Sequence, residues 1–315
     1  MKYLGLVLDG RLHFEAHFLA LAPKAESMAA HLCRLMPNLC GPKEQVRRLY
    51  MSVVNSIVLY GAPMWAGDAA DSRRIRTILR GVQRRTVGRV VRAYKTASHT
   101  TVTALTGTPL LEMVALMYAE EHAEVSALKE VHGVESVPPQ AVQLVRNRTR
   151  GRMMTRWRSW LNERELGGDP LVKAIAPHLD RWAAARVGLS FRATQVLTGH
   201  WCFGRYLCRI VKEVTPRCWH CGAVCDTARH TLRYCPAWSD DRKRLTEAMG
   251  QDLTTPNIVR GLLFSRIKRK AFFIFCENVM RRKKEQERAR EGVPVRVENV
   301  PGNTVVGRAT IGPRR

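Results

Sequence analysis

A mainly α-helical chain bearing one small metal-binding knuckle is what this sequence predicts, and three observations carry the prediction. Apolar residues recur at helical spacing along most of the chain, in stretches separated by Gly and Pro. Only the opening KYLGLVLDG reads as a strand, closed by Gly10. Finally, Cys218, Cys221, His230 and Cys235 stand in a C-x2-C-x8-H-x4-C spacing within CWHCGAVCDTARHTLRYC, which suits four ligands on one ion.

Taken in order, the first strand has no partner nearby in sequence, so the chain reads as beginning within a domain. Residues 14–36 are expected to form a helix that breaks at Gly41-Pro42, and residues 43–60 a second that ends at Gly61-Ala62-Pro63. A third helix is expected over 71–91, with Asp71 at its start. Its apolar face is Ile75, Ile78, Leu79, Val82, Val87 and Val90. Nine basic residues lie between Arg73 and Lys95 on a face almost free of acids. Arg73, Arg74, Arg76, Arg80, Arg84 and Arg85 are therefore candidate phosphate contacts.

Thr106-Gly107-Thr108-Pro109 separates a short helix from the longer LLEMVALMYAEEHAEVSALKEV, and HGVESVPPQ has a linker's composition. A second basic stretch at 146–164 interleaves arginines with Trp157 and Trp160, a pattern compatible with strand binding. With Leu161, however, the tryptophans also fit an i, i+3, i+4 core face, which is the preferred reading. Residues 169–187 look helical, as does TGHWCFGRYLCRIVKEV. Beyond the knuckle, helices are expected to about Met249, over 255–264 and over 267–291. Residues 292–315 read as a disordered tail.

A Cys-x2-Cys turn aims two thiolates at one point, and His-x4-Cys can close the set from a following helix. Four nitrogen and sulfur ligands leave no open position, so the site is read as one structural zinc. A knuckle this small has almost no core, and ligation would supply most of its folding free energy. Cys225 and His220 lie in the same segment as competitors for the fourth position. Cys202 and Cys208, six residues apart on the upstream helix, are read as packed thiols in preference to a second metal site.

The balance of 52 Lys plus Arg against 27 Asp plus Glu gives a net charge of +25, dominated by arginine. That excess points to nucleic acid or another anionic surface. No run approaches the length of a membrane span, and Asp9 and Arg11 break any secretory signal. Nine cysteines clustered with histidines argue for a reducing, intracellular setting. No phosphate-loop, H-E-x-x-H or G-x-S-x-G motif occurs. Asp240-Asp241 is the tempting acidic pair, but Ser239 or Asp240 reads better as a helix N-cap.

The motifs together resemble the C-terminal portion of the Pol protein of arthropod non-LTR retrotransposons of the clade inserting into ribosomal DNA or telomeric repeats. The resemblance is carried by MKYLGLVLDGRLHF, LYGAPMWA, QRRTVGRVVRAYKTASHTTVTALTGTPLLE, LSFRATQVLTGHWCFGRYLCRI, CWHCGAVCDTARHTLRYCPAW and NIVRGLLFSRIKRKAFFIFCENVMRRKKEQERARE. It implies a reverse-transcriptase thumb plus linker and CCHC knuckle. Residues 1–13 would end the palm, with Tyr3, Leu4 and Gly5 as primer grip. Residues 14–132 would be the thumb, 133–215 the α-helical linker, 216–238 the knuckle and 239–291 the C-terminal helices.

Cys218, Cys221, His230 and Cys235 match the family's knuckle residue by residue. The implied partners are RNA, DNA or their hybrid, together with the rest of the polyprotein, in nucleus and cytoplasm. The family's catalytic aspartates lie on palm strands preceding KYLG, and its endonuclease further upstream. No catalytic residue is therefore expected here, and magnesium only in the parent polymerase. The chain is expected to be a fragment or truncated copy, inactive by itself. The alternative is a stand-alone zinc-knuckle protein that binds nucleic acid without enzymology.

Overall fold

The structure is a computed structural model that describes residues 1–10, 13–133, 137–164 and 168–291. The expected disordered tail, 292–315, and residues 134–136 of the expected linker lie outside the described residues. Helices make up nearly all the regular structure, as the apolar periodicity predicts. The N-terminus departs from expectation. Strands β1 (Lys2–Tyr3) and β2 (Leu6–Val7) pair antiparallel with each other, Lys2 opposite Val7 and Tyr3 opposite Leu6. The single long strand thus becomes a hairpin, because Leu4 (φ 44°) and Gly5 (φ 86°) both take the left-handed conformation a two-residue turn requires. Tyr60 Oη donates to the Leu4 carbonyl at 3.0 Å and holds the tip.

Helices α1 (Glu15–Arg34) and α2 (Glu44–Val58) fall where the periodicity placed them. The Gly61-Ala62-Pro63 break is in fact a helix start, α3 (Ala62–Asp71), since proline in a first turn sacrifices no hydrogen bond. Asp71 ends that helix, and the expected start of the next passes to Ser72, whose hydroxyl accepts from the Ile75 N–H of α4 (Arg73–Val90). Next come α5 (His99–Thr106) and α6 (Leu111–His132), divided by the predicted Gly107 break. Helix α7 (Pro139–Arg164) returns along α6. Residues 170–185 form α8 (Pro170–Ile175), a 3-10 turn and α9 (Leu179–Ala185).

The helix expected through Cys202 and Cys208 is interrupted: α10 (Phe191–Thr198) ends at Gly199, and α11 (Gly204–Arg209) starts afresh. Cys202 lies between them. The C-terminal region holds α12 (Ala228–Arg233), α13 (Ser239–Met249), α14 (Thr255–Phe264) and α15 (Arg266–Glu291). Neither Ser239 nor Asp240 caps α13. Both lie inside its first turn behind Trp238, where negative charge suits the helix dipole. No single helix among the described residues is long and apolar enough to cross a membrane.

Apolar side chains gather in two clusters. The first surrounds Trp65, with Phe18 edge-on at 4.8 Å, and includes Val54, Ile75, Leu79 and Leu111. The second contains Trp157, Trp182 and Phe272, and runs without a break into Cys218, Cys235 and Trp238 of the knuckle. Helix α4 belongs to both, giving Ile75, Leu79 and Val82 to the first and Val87 and Val90 to the second. Of the expected i, i+3, i+4 core face, Trp157 and Leu161 are fully buried, while Trp160 is half-buried at the cluster's edge with Arg80 over its ring. The arginines around them are zipped to α6: Arg146 to Glu121 at 2.7 Å, Arg152 to Glu120 at 2.9 Å, and Arg148 and Arg156 to Glu124 and Glu120.

A buried guanidinium fastens the α1–α2 loop to α4. Arg47 donates to the carbonyls of Pro42 at 2.8 Å, Arg89 at 2.7 Å and Met36 at 3.3 Å, and also to that of Pro37. Burial, with Arg92 and Arg89 nearby, pulls its pKa down to about 10, so it stays charged at neutral pH. Arg47→Met strands these carbonyls without a donor. It is expected to lower stability by about 2–3 kcal/mol in urea unfolding.

Histidines add a pH dependence of definite sign. Burial pulls His17, His99 and His200 below the ordinary imidazole value, His99 to about 4 with Arg84 and Arg80 adding repulsion. The unfolded chain then binds protons that the folded chain refuses. Stability from these groups is full above pH 6.5 and drains away as pH falls towards 4. The thermal midpoint should therefore drop between pH 6.5 and 5, and His99→Gln should flatten that drop.

Candidate metal centre and its basic surroundings

The C-x2-C spacing becomes a tight turn closed by two backbone bonds: Gly222 N–H to the Cys218 carbonyl, and Cys218 N–H to that of Ala223, both 2.8 Å. Gly222 supplies the positive φ of 78° the turn demands. Thr227 caps α12 by accepting from His230 N–H at 3.0 Å, which fixes the ligand histidine in the first turn. Cys235 follows as the chain leaves the helix, its N–H bonded to the His230 carbonyl at 2.9 Å.

These elements bring Cys218, Cys221, His230 and Cys235 together, with every ligand atom within 4.8 Å of the others. Cys218 Sγ and Cys235 Sγ are 3.9 Å apart, and Cys221 Sγ is 3.3 Å from His230 Nε2. A tetrahedral ion with bonds of about 2.3 Å to sulfur and 2.0–2.1 Å to nitrogen needs about 3.8 and 3.6 Å. These two pairs lie within a few tenths of an ångström of that geometry, and the cluster could hold one metal ion. Burial pushes the Cys218 thiol up and the Cys235 thiol up to about 12. A cation supplies the charge compensation that buried thiolates lack. Burial also lowers His230, favouring the neutral imidazole a metal requires.

The competing ligands fall outside this cluster. His220 packs its ring 4.5 Å from that of Trp238, and Cys225 is not among the converging thiols. Cys202 is buried and donates to Glu287 Oε2 at 3.2 Å, while Cys208 points to the Val214 carbonyl at 3.8 Å. They are separate packed thiols, as preferred, and none of the nine cysteines is in a disulfide.

Two residues that sequence reasoning passed over anchor the metal loop. Asp226, 3% exposed, accepts from Lys283 Nζ at 2.7 Å, from Gly204 N–H at 3.1 Å and from Thr231 Oγ1 at 3.1 Å. Lys283, 2% exposed, also lies 5.3 Å from the centre of the Phe203 ring. Gly204 is required because a Cβ there would meet the Arg217 carbonyl at 2.6 Å. The charged run RRKKEQERARE gave no hint that one lysine is inward. The only available signal was its four-residue spacing from Val279, which is also buried. Asp241 is buried too, pairing with Arg244 at 2.9 Å and with Arg282, whose guanidinium lies 4.7 Å from the Trp238 ring centre.

The candidate phosphate-binding arginines of α4 stand differently from expectation. Acids reach that face from neighbouring helices: Glu15 and Glu26 of α1 pair with Arg74 and Arg85, each at 3.3 Å, and Glu112 of α6 pairs with Arg80 at 2.6 Å. Arg76 donates to the Ala70 carbonyl, and Arg84 to those of Lys95 and Ala97 at 3.0 Å each. Arg73 projects into solvent. The acid-free stretch in sequence is thus not acid-free in space, although the exposed pairs are weak enough for a phosphate to displace.

No protein-family model, no curated protein and no solved structure matches this chain.

Two substitutions test the centre. Cys218→Ser should bring bound metal towards zero and speed hydrogen exchange across 215–240; a variant retaining a full equivalent of metal removes Cys218 from the ligand set. Asp226→Ala leaves Lys283 buried without its counter-charge. It should destabilise the chain by about 3–5 kcal/mol, read by chemical unfolding of the metal-loaded protein.

Proposed function

We propose that this chain is a nucleic-acid-binding region of an RNA-directed DNA polymerase of the non-LTR retrotransposon type, folded around one structural zinc ion. The observation that carries nucleic-acid binding is a cleft of about 830 Å³ between α1, α4 and the segment after α4. Arg34, Arg84, Arg85, Arg89 and Lys95 line it, and no carboxylate is among its described lining residues. A chain of phosphates is the ligand such a cleft suits, and a net charge of +25 adds long-range attraction.

Zinc is the natural occupant of three thiolates and one imidazole in tetrahedral array. With its four positions filled by protein, its chemistry is structural: it closes the 218–235 loop and keeps α12 in place. In this reading the chain's residues hold and orient a template–primer, and the carboxylates that activate the 3′ hydroxyl belong to a palm domain. The hairpin tip Tyr3, Leu4 and Gly5, exposed at the chain's edge, would meet the primer end.

Zinc stoichiometry combined with a salt titration of binding to an RNA–DNA hybrid tests the reading. One zinc per chain is expected, with log K falling linearly in log salt. Replacing Arg84 and Arg89 together by alanine should reduce the slope by about 1.8, roughly 0.9 for each duplex phosphate left without its arginine. A salt-independent affinity overturns nucleic-acid binding. Hybrids bound no more tightly than plain DNA duplexes would favour a general nucleic-acid-binding protein over a polymerase region.

A further inference from the structure

A second cleft, about 1100 Å³, opens beside the metal loop between α8, α10, α11, α12 and α14. Its cations are Lys173, Arg205, Arg209, Arg229 and Arg233. Unlike the α4 arginines, none of the five is ion-paired to a carboxylate among the described residues. Three are instead laid against tyrosine rings: Arg209 at 5.1 Å from the Tyr206 centre, Arg229 and Arg233 at 5.7 and 5.3 Å from that of Tyr234. A guanidinium held against a ring keeps most of its N–H edge for an anion, although Arg229 spends one N–H on the Tyr234 hydroxyl at 3.3 Å. The one lining carboxylate, Asp169, is occupied in accepting from Leu171 N–H and Thr101 Oγ1.

Deeper in the wall the chemistry reverses. His200 lines this cleft and is 8% exposed, and its Nε2 has no partner. Its Nδ1 lies 2.8 Å from the Thr198 carbonyl, which can only accept; with the proton on Nδ1, Nε2 is left as a buried acceptor without a hydrogen-bond partner. A phosphate oxygen gains nothing from that acceptor. A nucleobase N–H does. Cations at the rim and an acceptor in the wall, beside the apolar Phe203 and Leu232, match a phosphate on one side and a base on the other.

The two clefts share a partition. Thr96 lines the first and Tyr206 the second, and their hydroxyls are 2.9 Å apart. Tyr94, also lining the first, stacks on His200 at 6.5 Å and 15°. One strand crossing this partition would meet cations on both sides. A duplex, its bases stacked inside, could contact the rim alone.

We infer that the cleft beside the metal loop binds an unpaired stretch of polynucleotide, base towards His200 and phosphates on the arginine rim, continuous with the strand in the α1–α4 cleft. This rests on the nucleic-acid reading above. The test is fluorescence anisotropy of the zinc-loaded full chain with labelled oligo(dT) and oligo(U) of about 16 nucleotides, alongside a duplex and inorganic polyphosphate of similar length. Two double variants are used, Lys173→Ala with Arg209→Ala, which leaves α12 untouched, and Arg229→Ala with Arg233→Ala; zinc content reports their folding.

Each pair should weaken single-strand binding about tenfold and lower its salt slope by about 1.4, at roughly 0.7 per phosphate, and weaken duplex binding by less. His200→Phe should weaken oligonucleotides and leave polyphosphate untouched. Oligo(dT) and oligo(U) together show whether the cleft prefers DNA or RNA. If the Lys173/Arg209 variant binds single strands as the parent does, while the Arg84/Arg89 variant no longer holds them, the inference is overturned and the nucleic-acid reading stands. Polyphosphate bound as tightly as oligonucleotides, with His200→Phe silent, overturns the base contact and leaves an anion groove. A parent chain that binds no nucleic acid at any salt removes the nucleic-acid reading itself, and this inference with it.

Discussion

The buried pair of Asp226 and Lys283 is the constraint on which the C-terminal half depends. Asp226 sits inside the metal loop, between the two ligand pairs, and Lys283 lies on the longest C-terminal helix. Their bond at 2.7 Å, with the Gly204 and Thr231 hydrogen bonds, holds the loop against α11, α12 and α15 at once. Such a pair contributes little net stability over apolar packing, but either charge left alone would be costly. It therefore selects one docking arrangement. A metal and the carboxylate would have distinct tasks: ligation would close the loop on itself, and Asp226 places the loop on the helices.

That placement explains why the Cys/His loop is not an appendage. Cys218, Cys235 and Trp238 belong to the same apolar cluster as Trp157 and Phe272. Both Arg282 and His220 pack against the Trp238 ring. Loss of the metal should thus be felt beyond the loop, in the packing of α13 and α15. It should also be felt in the cleft beside α12, whose Arg229 and Arg233 are held in position by the helix that carries His230.

The large positive charge is distributed by neutralisation. Along α7 and much of α4, arginines are paired with glutamates of α6 and α1, so that charge knits helices together. In the two clefts the cations have few such partners. A uniform count of basic residues therefore overstates some surfaces and understates others. What distinguishes a binding surface here is the lack of nearby acid, which is a property of helix packing.

Composition, periodicity and spacing by themselves determined the helical class, most helix positions, Trp157 as core and the four candidate metal ligands, because each depends on spacing within a short segment. A turn brings Cys218 and Cys221 together, and one helical turn with its exit brings His230 and Cys235. Only the tertiary structure decided the rest. The opening strand became a hairpin because two successive residues took positive φ, which no apolar pattern records. Lys283 went inward because Asp226, far away in sequence, supplied its counter-charge. The arginines of α4 acquired partners from helices whose approach no local pattern encodes, whereas Arg209, Arg229 and Arg233 of the second cleft have no carboxylate partner among the described residues. Short-range geometry is written in the residues themselves; which charges are neutralised and which face solvent depends on the arrangement of distant helices.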